Sequence, residues 1–137
     1  MKKILLFLLA LVMCLMTFAA CSGEPLPDGM EEEALFSAGK DVLLLMVGGE
    51  YERVHELLRD DQRDLVDVED IRKAVSSQLD GAGVYKQIED HMATGQNING
   101  ERYGISVLYC EFSEEDVLVR LCFDGEYRLV GFSLDQR

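Results

Sequence analysis

This 137-residue chain has few of the sequence patterns in which histidine, cysteine and serine side chains catalyse reactions or bind metals. Its two histidines, His55 and His91, lie far apart, the first in a predicted helix at the rim or facing solvent and the second in a predicted strand. A zinc site commonly uses an HExxH helix, paired histidines or CxxC pairs, and the sequence has none of them. No serine lies in a Gly-x-Ser-x-Gly elbow either. The sequence therefore predicts no catalytic residues, no metal and no cofactor.

Acidic residues cluster between positions 60 and 70, where a calcium loop is the functional alternative to a solvated turn. The cluster consists of Asp60, Asp61, Asp64, Asp67, Glu69 and Asp70. It lacks the alternating oxygen ligands and the central glycine of an EF-hand loop. We expect a solvated acidic turn that keeps the protein soluble.

The amino terminus has the pattern of an export signal. Lys2 and Lys3 precede residues 4–20, which contain no charge and a single polar residue, Thr17. A positive start followed by an apolar run of this length is typical of a secretory signal peptide. The run ends in Phe18-Ala19-Ala20-Cys21, which resembles the lipobox of bacterial lipoproteins, although Phe18 stands where leucine is usual. The resemblance implies diacylglycerol on Cys21 and cleavage before it; an uncleaved anchor and ordinary secretion are the alternatives.

The chain accordingly divides into a lipoprotein signal peptide (1–20), a flexible tether that begins at lipidated Cys21 (21–30) and one α+β domain (31–137). The tether contains both prolines, Pro25 and Pro27. Without residues 1–20 the chain has 11 basic and 26 acidic side chains, a formal charge of −15. Such a charge disfavours nucleic-acid binding. We expect a protein held by lipid on the extracytoplasmic face of a bacterial membrane, with the bilayer as its first partner.

Three helices are predicted in the first half of the domain. Residues 30–47 have helical spacing of apolar side chains, begin with three glutamates and end at Gly48-Gly49. Residues 50–59 form a second, amphipathic helix. Asp67 is a plausible N-cap for a third helix, in which Ile71, Val75 and Leu79 share one face.

The second half has the two-residue period of strands, predicted at 84–92, 103–112, 117–123 and 127–134. Residues 93–102 are predicted to be a long connection with a turn signal at Asn99-Gly100, and Asp124-Gly125 predicts a type I′ hairpin turn. Helices followed by a meander indicate an α+β fold, with two to three amino-terminal helices packed on a curved four-stranded antiparallel sheet.

Cys110 and Cys122 are the only cysteines left once Cys14 is removed and Cys21 is acylated. Placing Phe112 opposite Val117 sends Cys110 to the core face, opposite Val119, and Cys122 to the other face. Pairing the two thiols would require a three-residue slip, which would reverse the facing of one strand. We therefore predict no disulfide and a buried thiol at each position.

The second face of the sheet is more apolar than a solvated face should be. In the predicted register Tyr109 lies opposite Arg120 as a cross-strand stacking pair. This face also receives Ile105, Val107, Leu118, Cys122, Tyr127 and Leu129. We predict a binding surface here, formed by Tyr109, Arg120, Tyr127, Leu118 and Val107.

Several short motifs in order resemble the domain of unknown function 3887 (DUF3887) family. These are Gly48-Gly49 followed by Tyr51, Gly83-Val84-Tyr85 at the start of the meander, Leu121-Cys122-Phe123-Asp124-Gly125, and Leu129-Val130-Gly131-Phe132. The resemblance covers about residues 33–135 and implies a cystatin-like, nuclear-transport-factor-2-like cone of helices against a curved sheet. Family members are often bacterial lipoproteins, and the family supplies no catalytic residues.

The sequence favours a non-enzymatic, membrane-anchored interaction module, with a second copy or another envelope protein on the second sheet face. A pocket inside the cone for a small apolar molecule, less plausibly an isomerase-like one, is the alternative. Its hydroxyl could come from Tyr85, Tyr103, Tyr109 or Tyr127, although buried tyrosines are more commonly part of a core. A third possibility is an accessory domain of a separately encoded enzyme.

Overall fold

The computed structural model describes residues 24–137, which form helices and one antiparallel sheet. The predicted signal peptide and Cys21 lie outside the described residues. The helices are α1 (Glu32–Val47), α2 (Tyr51–Leu57), α3 (Asp60–Arg63) and α4 (Val68–Leu79). The strands are β1 (Tyr85–Ile98), β2 (Glu101–Phe112), β3 (Val117–Phe123) and β4 (Leu129–Gln136).

Helix α1 begins two residues later than predicted and ends where predicted. Glu31 is its N-cap, and Glu32 and Glu33 lie in the first turn, where negative charge is favourable near the helix dipole. Gly48 is the C-cap, and Gly49 follows with φ +72°, a conformation that glycine adopts without a steric penalty. The helix buries its apolar stripe against the sheet.

The predicted second helix, residues 50–59, is divided in two. Helix α2 ends at Leu57, and Leu58 is extended with ψ 141° and forms a parallel bridge with Leu129 of β4. Arg59 N–H then donates to the Leu129 carbonyl at 2.8 Å, and α3 starts at the next residue. The prediction of one continuous helix is wrong because this contact with β4 replaces helical hydrogen bonds at 58–59.

Helix α4 follows its predicted N-cap. The Asp67 carboxylate accepts from the Asp70 N–H at 2.9 Å, and the Asp70 carboxylate accepts from the Asp67 N–H at 3.0 Å. This reciprocal capping box satisfies two N–H groups that helical bonds leave unpaired. Ile71 and Val75 are buried, as their spacing predicts.

The strands pair in the order β1-β2-β3-β4, so the sheet is the predicted meander. Residues 93–102 are not a long connection. Strands β1 and β2 continue through this region to Ile98 and Glu101, joined by Asn99-Gly100 alone. Asn99 and Gly100 have φ +53° and +87°, the positive values of a two-residue hairpin turn. The turn signal is confirmed, and residues 93–98 pair continuously with 101–106 up to this turn.

The register between β2 and β3 is shifted by two residues from the predicted one. Val117 pairs with Cys110 and not with Phe112, and Leu108 pairs with Val119. Phe112 pairs instead with Tyr85 of β1, and Ser113 N–H donates to the Val84 carbonyl at 2.8 Å. A shift of two residues keeps every side chain on its predicted face.

The connection between β3 and β4 is not a type I′ turn at Asp124-Gly125. Gly125 has no positive φ, whereas Tyr127 has φ +61°. The Asp124 N–H donates to the Arg128 carbonyl at 2.9 Å, and the Asp124 carboxylate accepts from the N–H groups of Glu126 and Arg128 at 3.0 and 2.9 Å. The carboxylate thus stabilises a wider loop than the dipeptide predicts.

Residues 24–30, here called the N-terminal strap, lie against the sheet, so the predicted flexible tether is wrong for this part. Gly95 N–H donates to the Glu24 carbonyl at 3.0 Å, and the Arg102 guanidinium donates to the Pro25 carbonyl at 2.7 Å. Pro27 is buried, and Met30 is 8% exposed. Backbone hydrogen bonds and apolar burial hold this segment where composition alone indicates a linker.

The main core lies between the helices and one face of the sheet, here called the inner face. Its largest fully buried side chains include Leu35, Leu43 and Met46 of α1, which meet Leu108 and Leu121 of the sheet. Gly39 of α1 faces Ser106 so closely that an added Cβ would clash with the serine side chain. The predicted α+β class, helices on a four-stranded antiparallel sheet, is therefore the observed one.

We predict that Gly95→Ala lowers the free energy of unfolding by about 1–3 kcal/mol, because the new methyl group would clash with the Pro25 carbonyl and displace the strap. Urea denaturation followed by circular dichroism measures the change. Gly125→Ala is the matched control, since nothing lies within 4 Å of its Cβ position. We expect the control to be neutral or slightly stabilising; equal losses in both variants would contradict a tightly packed strap.

Candidate functional site: the outer sheet face and the arginine cluster

A second apolar cluster lies on the sheet face opposite the main core, here called the outer face. Ile105, Val107 and Leu118 form it, and their exposed fractions are 4%, 2% and 7%. Tyr109 and Cys122 pack against them. The described helices pack on the inner face, and none of their buried residues belongs to this cluster. The outer face therefore has an apolar centre of its own, as predicted for Val107 and Leu118.

The predicted cross-strand pair of Tyr109 with Arg120 is wrong in register. Tyr109 pairs with Leu118, and Arg120 pairs with Val107, so the two residues are diagonal neighbours on the same face. The Arg120 guanidinium donates to the Asp135 carboxylate at 3.0 Å. The guanidinium carbon of Arg137 lies 5.5 Å from the centre of the Tyr109 ring. The two-residue register shift is the cause of the difference.

Tyr127 and Leu129 do not lie on the outer face. Leu129 pairs with Phe123 and is 1% exposed in the main core, and the Tyr127 hydroxyl accepts from the Glu31 N–H at 2.9 Å. A bulge between Cys122 and Phe123 changes the facing of the last strand relative to the prediction. Strand β4 instead supplies the outer face with small and polar partners, Gly131, Ser133 and Asp135.

The strongest concentration of charge among the described residues surrounds Arg59, which the sequence did not single out. Its guanidinium is 14% exposed and binds the Asp61 carboxylate through two hydrogen bonds of 2.8 and 2.9 Å. It also donates to Glu101 at 2.8 Å and to Asp124 at 3.4 Å. The Tyr103 ring lies below it, with 5.9 Å between the guanidinium carbon and the ring centre. We call these five residues the arginine cluster.

Ionisation in the arginine cluster is set by these contacts. The hydrogen bonds from Arg59 hold the pKa of Asp61 below its usual value, and those to Asp61 raise the pKa of Arg59. Burial of Asp124 opposes its ionisation, but N–H groups and the Arg128 guanidinium outweigh that effect and lower its pKa. Burial, with a hydrogen bond to Glu101, raises the pKa of Tyr103 to about 12. These directions keep the Asp61 and Asp124 carboxylates charged and the Tyr103 phenol neutral, which suits a structural role rather than proton transfer.

The two histidines lie in separate structural contacts. The Nε2 atom of His55 donates to the Val66 carbonyl at 2.8 Å and lies 3.2 Å from the Arg63 carbonyl. Its side chain, at the rim of α2, thus joins this helix to the segment before α4. His91 is exposed on β1 and stacks on Phe36 of α1, with 3.9 Å between ring centres. Residues 24–137 contain no group of three or more His, Cys, Asp and Glu side chains that could hold a metal ion.

Cys110 and Cys122 lie on opposite faces of the sheet, and both are thiols. Cys110 is 1% exposed in the main core, and burial raises its pKa to about 12. A thiol in this environment is protonated and therefore a poor nucleophile. Cys122 is half-buried, so the expectation of two buried thiols applies fully to Cys110 alone.

The tyrosines considered for a catalytic pocket are dispersed. Tyr85 packs edge-on against Phe112, and burial raises its pKa. Tyr103 belongs to the arginine cluster and Tyr109 to the outer face. The Tyr127 hydroxyl accepts from Glu31, the residue before α1. A surface pocket of about 330 Å³ lies between α2 and α4, lined by residues 49–53 with Val68 and Arg72. None of the four tyrosines lines it.

The architecture of these residues is that of helices packed on a four-stranded antiparallel sheet, consistent with the nuclear-transport-factor-2-like, cystatin-like class. A protein from Ruminococcus gnavus, whose structure was determined by NMR, superposes with a TM-score of 0.70 at 20% sequence identity. The similarity covers 80% of this chain and 96% of that one. At this identity the likeness establishes the fold alone.

The sequence profile of the family "Protein of unknown function (DUF3887)" matches residues 40–132, more than half of the chain. The chain therefore belongs to the DUF3887 family, as its motifs predict. No curated protein matches the sequence. Within residues 24–137, no helix has the length and apolar character needed to cross a membrane.

We predict that Arg59→Ala lowers the free energy of unfolding by about 2–4 kcal/mol, because it leaves buried Asp124 without one of its cationic partners and removes the bonds to Asp61 and Glu101. Chemical denaturation measures this loss. Arg53→Ala is the control: Arg53 is 65% exposed and pairs with Glu50 at 3.6 Å, so we expect about 0.5 kcal/mol or less. Similar values for both variants would show that the cluster does not hold the fold together.

Acid should weaken the same cluster. The pKa of Asp124 is lowered by folding, so its stabilising contribution is complete above its unfolded pKa, about 4, and is lost as the pH falls through the folded value. We expect the difference in unfolding free energy between wild type and Asp124→Asn to be largest near neutral pH and to shrink in acid. Asp64→Asn, an exposed aspartate outside the cluster, should follow the wild-type pH profile. A pH-independent difference for Asp124→Asn would contradict this assignment.

Proposed function

We propose that this chain is an exported bacterial lipoprotein whose folded part is a non-catalytic interaction module. Acyl chains on Cys21 anchor it to the extracytoplasmic face of the membrane. The support for anchoring is in the sequence: two lysines, an apolar run and Ala19-Ala20-Cys21. The partner is a second copy of the chain or another envelope protein.

The observation that carries the interaction proposal is the separate apolar cluster on the outer face. A sheet side that faces only water carries mainly polar side chains, whereas Ile105, Val107 and Leu118 lie on this one, each buried beneath its neighbours. The part of this face that is open to a partner is therefore the rim around them. At its rim lie Tyr109, which is half-buried, and Met92, which is 40% exposed. Aromatic and methionine side chains around an aliphatic centre are typical of the core of a protein interface.

The arrangement of ionisable groups supports a non-catalytic role. Arg59 is bound to Asp61, Glu101 and Asp124 in the arginine cluster, and the Cys110 thiol is buried with a raised pKa. An enzyme site instead holds a nucleophile or base whose pKa lies near the working pH. The space between α1 and the inner face is filled by leucine, valine and methionine side chains, which favours an interaction surface over a ligand pocket inside the cone.

We predict that Tyr109→Glu weakens self-association or partner binding about tenfold or more, because it places a carboxylate beside the aliphatic centre of the interface. Native mass spectrometry of the gently purified exported protein gives the assembly state. Leu44→Glu is the control, since Leu44 is 45% exposed on α1 and the substitution adds the same charge. A wild-type monomer that carries a reproducible small-molecule mass would contradict the proposal and favour a ligand pocket.

A further inference from the structure

The N-terminal strap joins the sheet at a defined place. The Glu24 carbonyl accepts from Gly95 of β1, and the Pro25 carbonyl accepts from Arg102 of β2. Apolar burial of Pro27 and Met30 fixes the rest of the strap. The first described residue is therefore held against one end of the sheet and does not swing freely.

That end of the sheet is built from three neighbouring parts of the fold. Gly95 pairs with Gly104, Gly104 with Phe123, and Phe123 with Leu129. The Asn99-Gly100 turn, the 124–128 loop and the α2–α3 junction at Leu58 thus lie together. We call this group the strap end. The opposite end carries the 113–116 loop.

The spacing between Cys21 and the strap is short. Cys21 precedes Glu24 by three residues, and an extended chain spans at most about 3.6 Å per residue, so the two are separated by roughly 11 Å or less. An anchor at Cys21 therefore restricts rotation of the domain relative to the membrane plane. A free tether to residue 30 would instead allow every orientation.

We propose that the strap end faces the lipid bilayer, with the strands directed away from the membrane. This inference rests on the proposed lipidation of Cys21 and adds an orientation to it. The surface that meets the phospholipid headgroups comprises the Asn99-Gly100 turn and the 124–128 loop. Arg102 and Arg128 are exposed at this end, but Arg102 donates to the Pro25 carbonyl and Arg128 pairs with Asp124 and Glu126, so the proposal rests on the tether and not on charge.

The opposite end of the sheet lies far from the tether. The loop at the opposite end contains Glu114, Glu115 and Asp116 in succession, all exposed. Phe112, beside this loop, lies eight positions after Gly104 along β2, which corresponds to about 26 Å at the rise of a strand. Exposed Glu101 and Glu126 lie at the strap end, so charge favours neither end, and the short link to Cys21 carries the proposal.

The absence of tryptophan from the chain permits a direct test. A single tryptophan is introduced into the full-length lipoprotein at Gly125, whose Cβ position is open, or at the exposed Glu115 as the matched control. Each variant is reconstituted in phosphatidylethanolamine–phosphatidylglycerol vesicles that contain brominated phospholipid, which quenches tryptophan fluorescence near the bilayer. We expect quenching several-fold stronger for Gly125→Trp than for Glu115→Trp. Ile98→Trp, beside the Asn99-Gly100 turn, is a second probe of the strap end and should behave like Gly125→Trp.

Mass spectrometry and vesicle flotation of the same samples separate the two proposals. A protein without acyl chains on Cys21 overturns the anchoring and the orientation together. An acylated protein that floats with the vesicles, but shows equal quenching at both ends or stronger quenching at Glu115, overturns the orientation alone. Adding Gly95→Ala to the Gly125→Trp variant should reduce its quenching, because the displaced strap lengthens the tether. Unchanged quenching would contradict a role of the strap in the orientation.

Discussion

The Arg59 guanidinium joins three segments that are remote in sequence. It binds Asp61 in α3, Glu101 at the start of β2 and Asp124 after β3, while Tyr103 lies against it. The Arg59 backbone N–H also donates to Leu129 of β4. Because these bonds fix the strap end of the fold, the hairpin that receives residues 24–30 and the loop before β4 both depend on a single side chain. Arg59 and Asp124 are both largely buried, so this pair is screened by solvent less than an exposed ion pair would be, whereas Asp61 and Glu101 are about half exposed.

Local signals in the sequence predicted the elements well. Gly48-Gly49 ends α1, Asp67 caps α4, and Asn99-Gly100 turns the first hairpin, because each depends on neighbouring backbone groups alone. The facing of Cys110 and Cys122 also follows from the two-residue period. The family resemblance was confirmed over most of the folded part.

Contacts between distant segments could not be read in the same way. Leu58 leaves the helix because it bridges Leu129. Strand β3 pairs with residues two positions earlier in β2 than predicted, because Phe112 and Ser113 bind the start of β1. The bulge after Cys122 moves Tyr127 and Leu129 from the predicted binding surface to the core side. The arginine cluster escaped prediction for this reason: Arg59, Glu101 and Asp124 share no periodicity or motif, and only the folded chain brings them together.

The backbone contacts of the two outer strands restrict how another polypeptide could join this sheet. On β1, the outward N–H of Gly95 is bonded to Glu24, and on β4 the carbonyl of Leu129 is bonded to Arg59. Proteins that recruit a peptide by adding a strand need such outward groups unpaired along an edge. At these positions the molecule's own chain already occupies them. A strand that added to either edge at these positions would first have to displace Glu24 or Arg59.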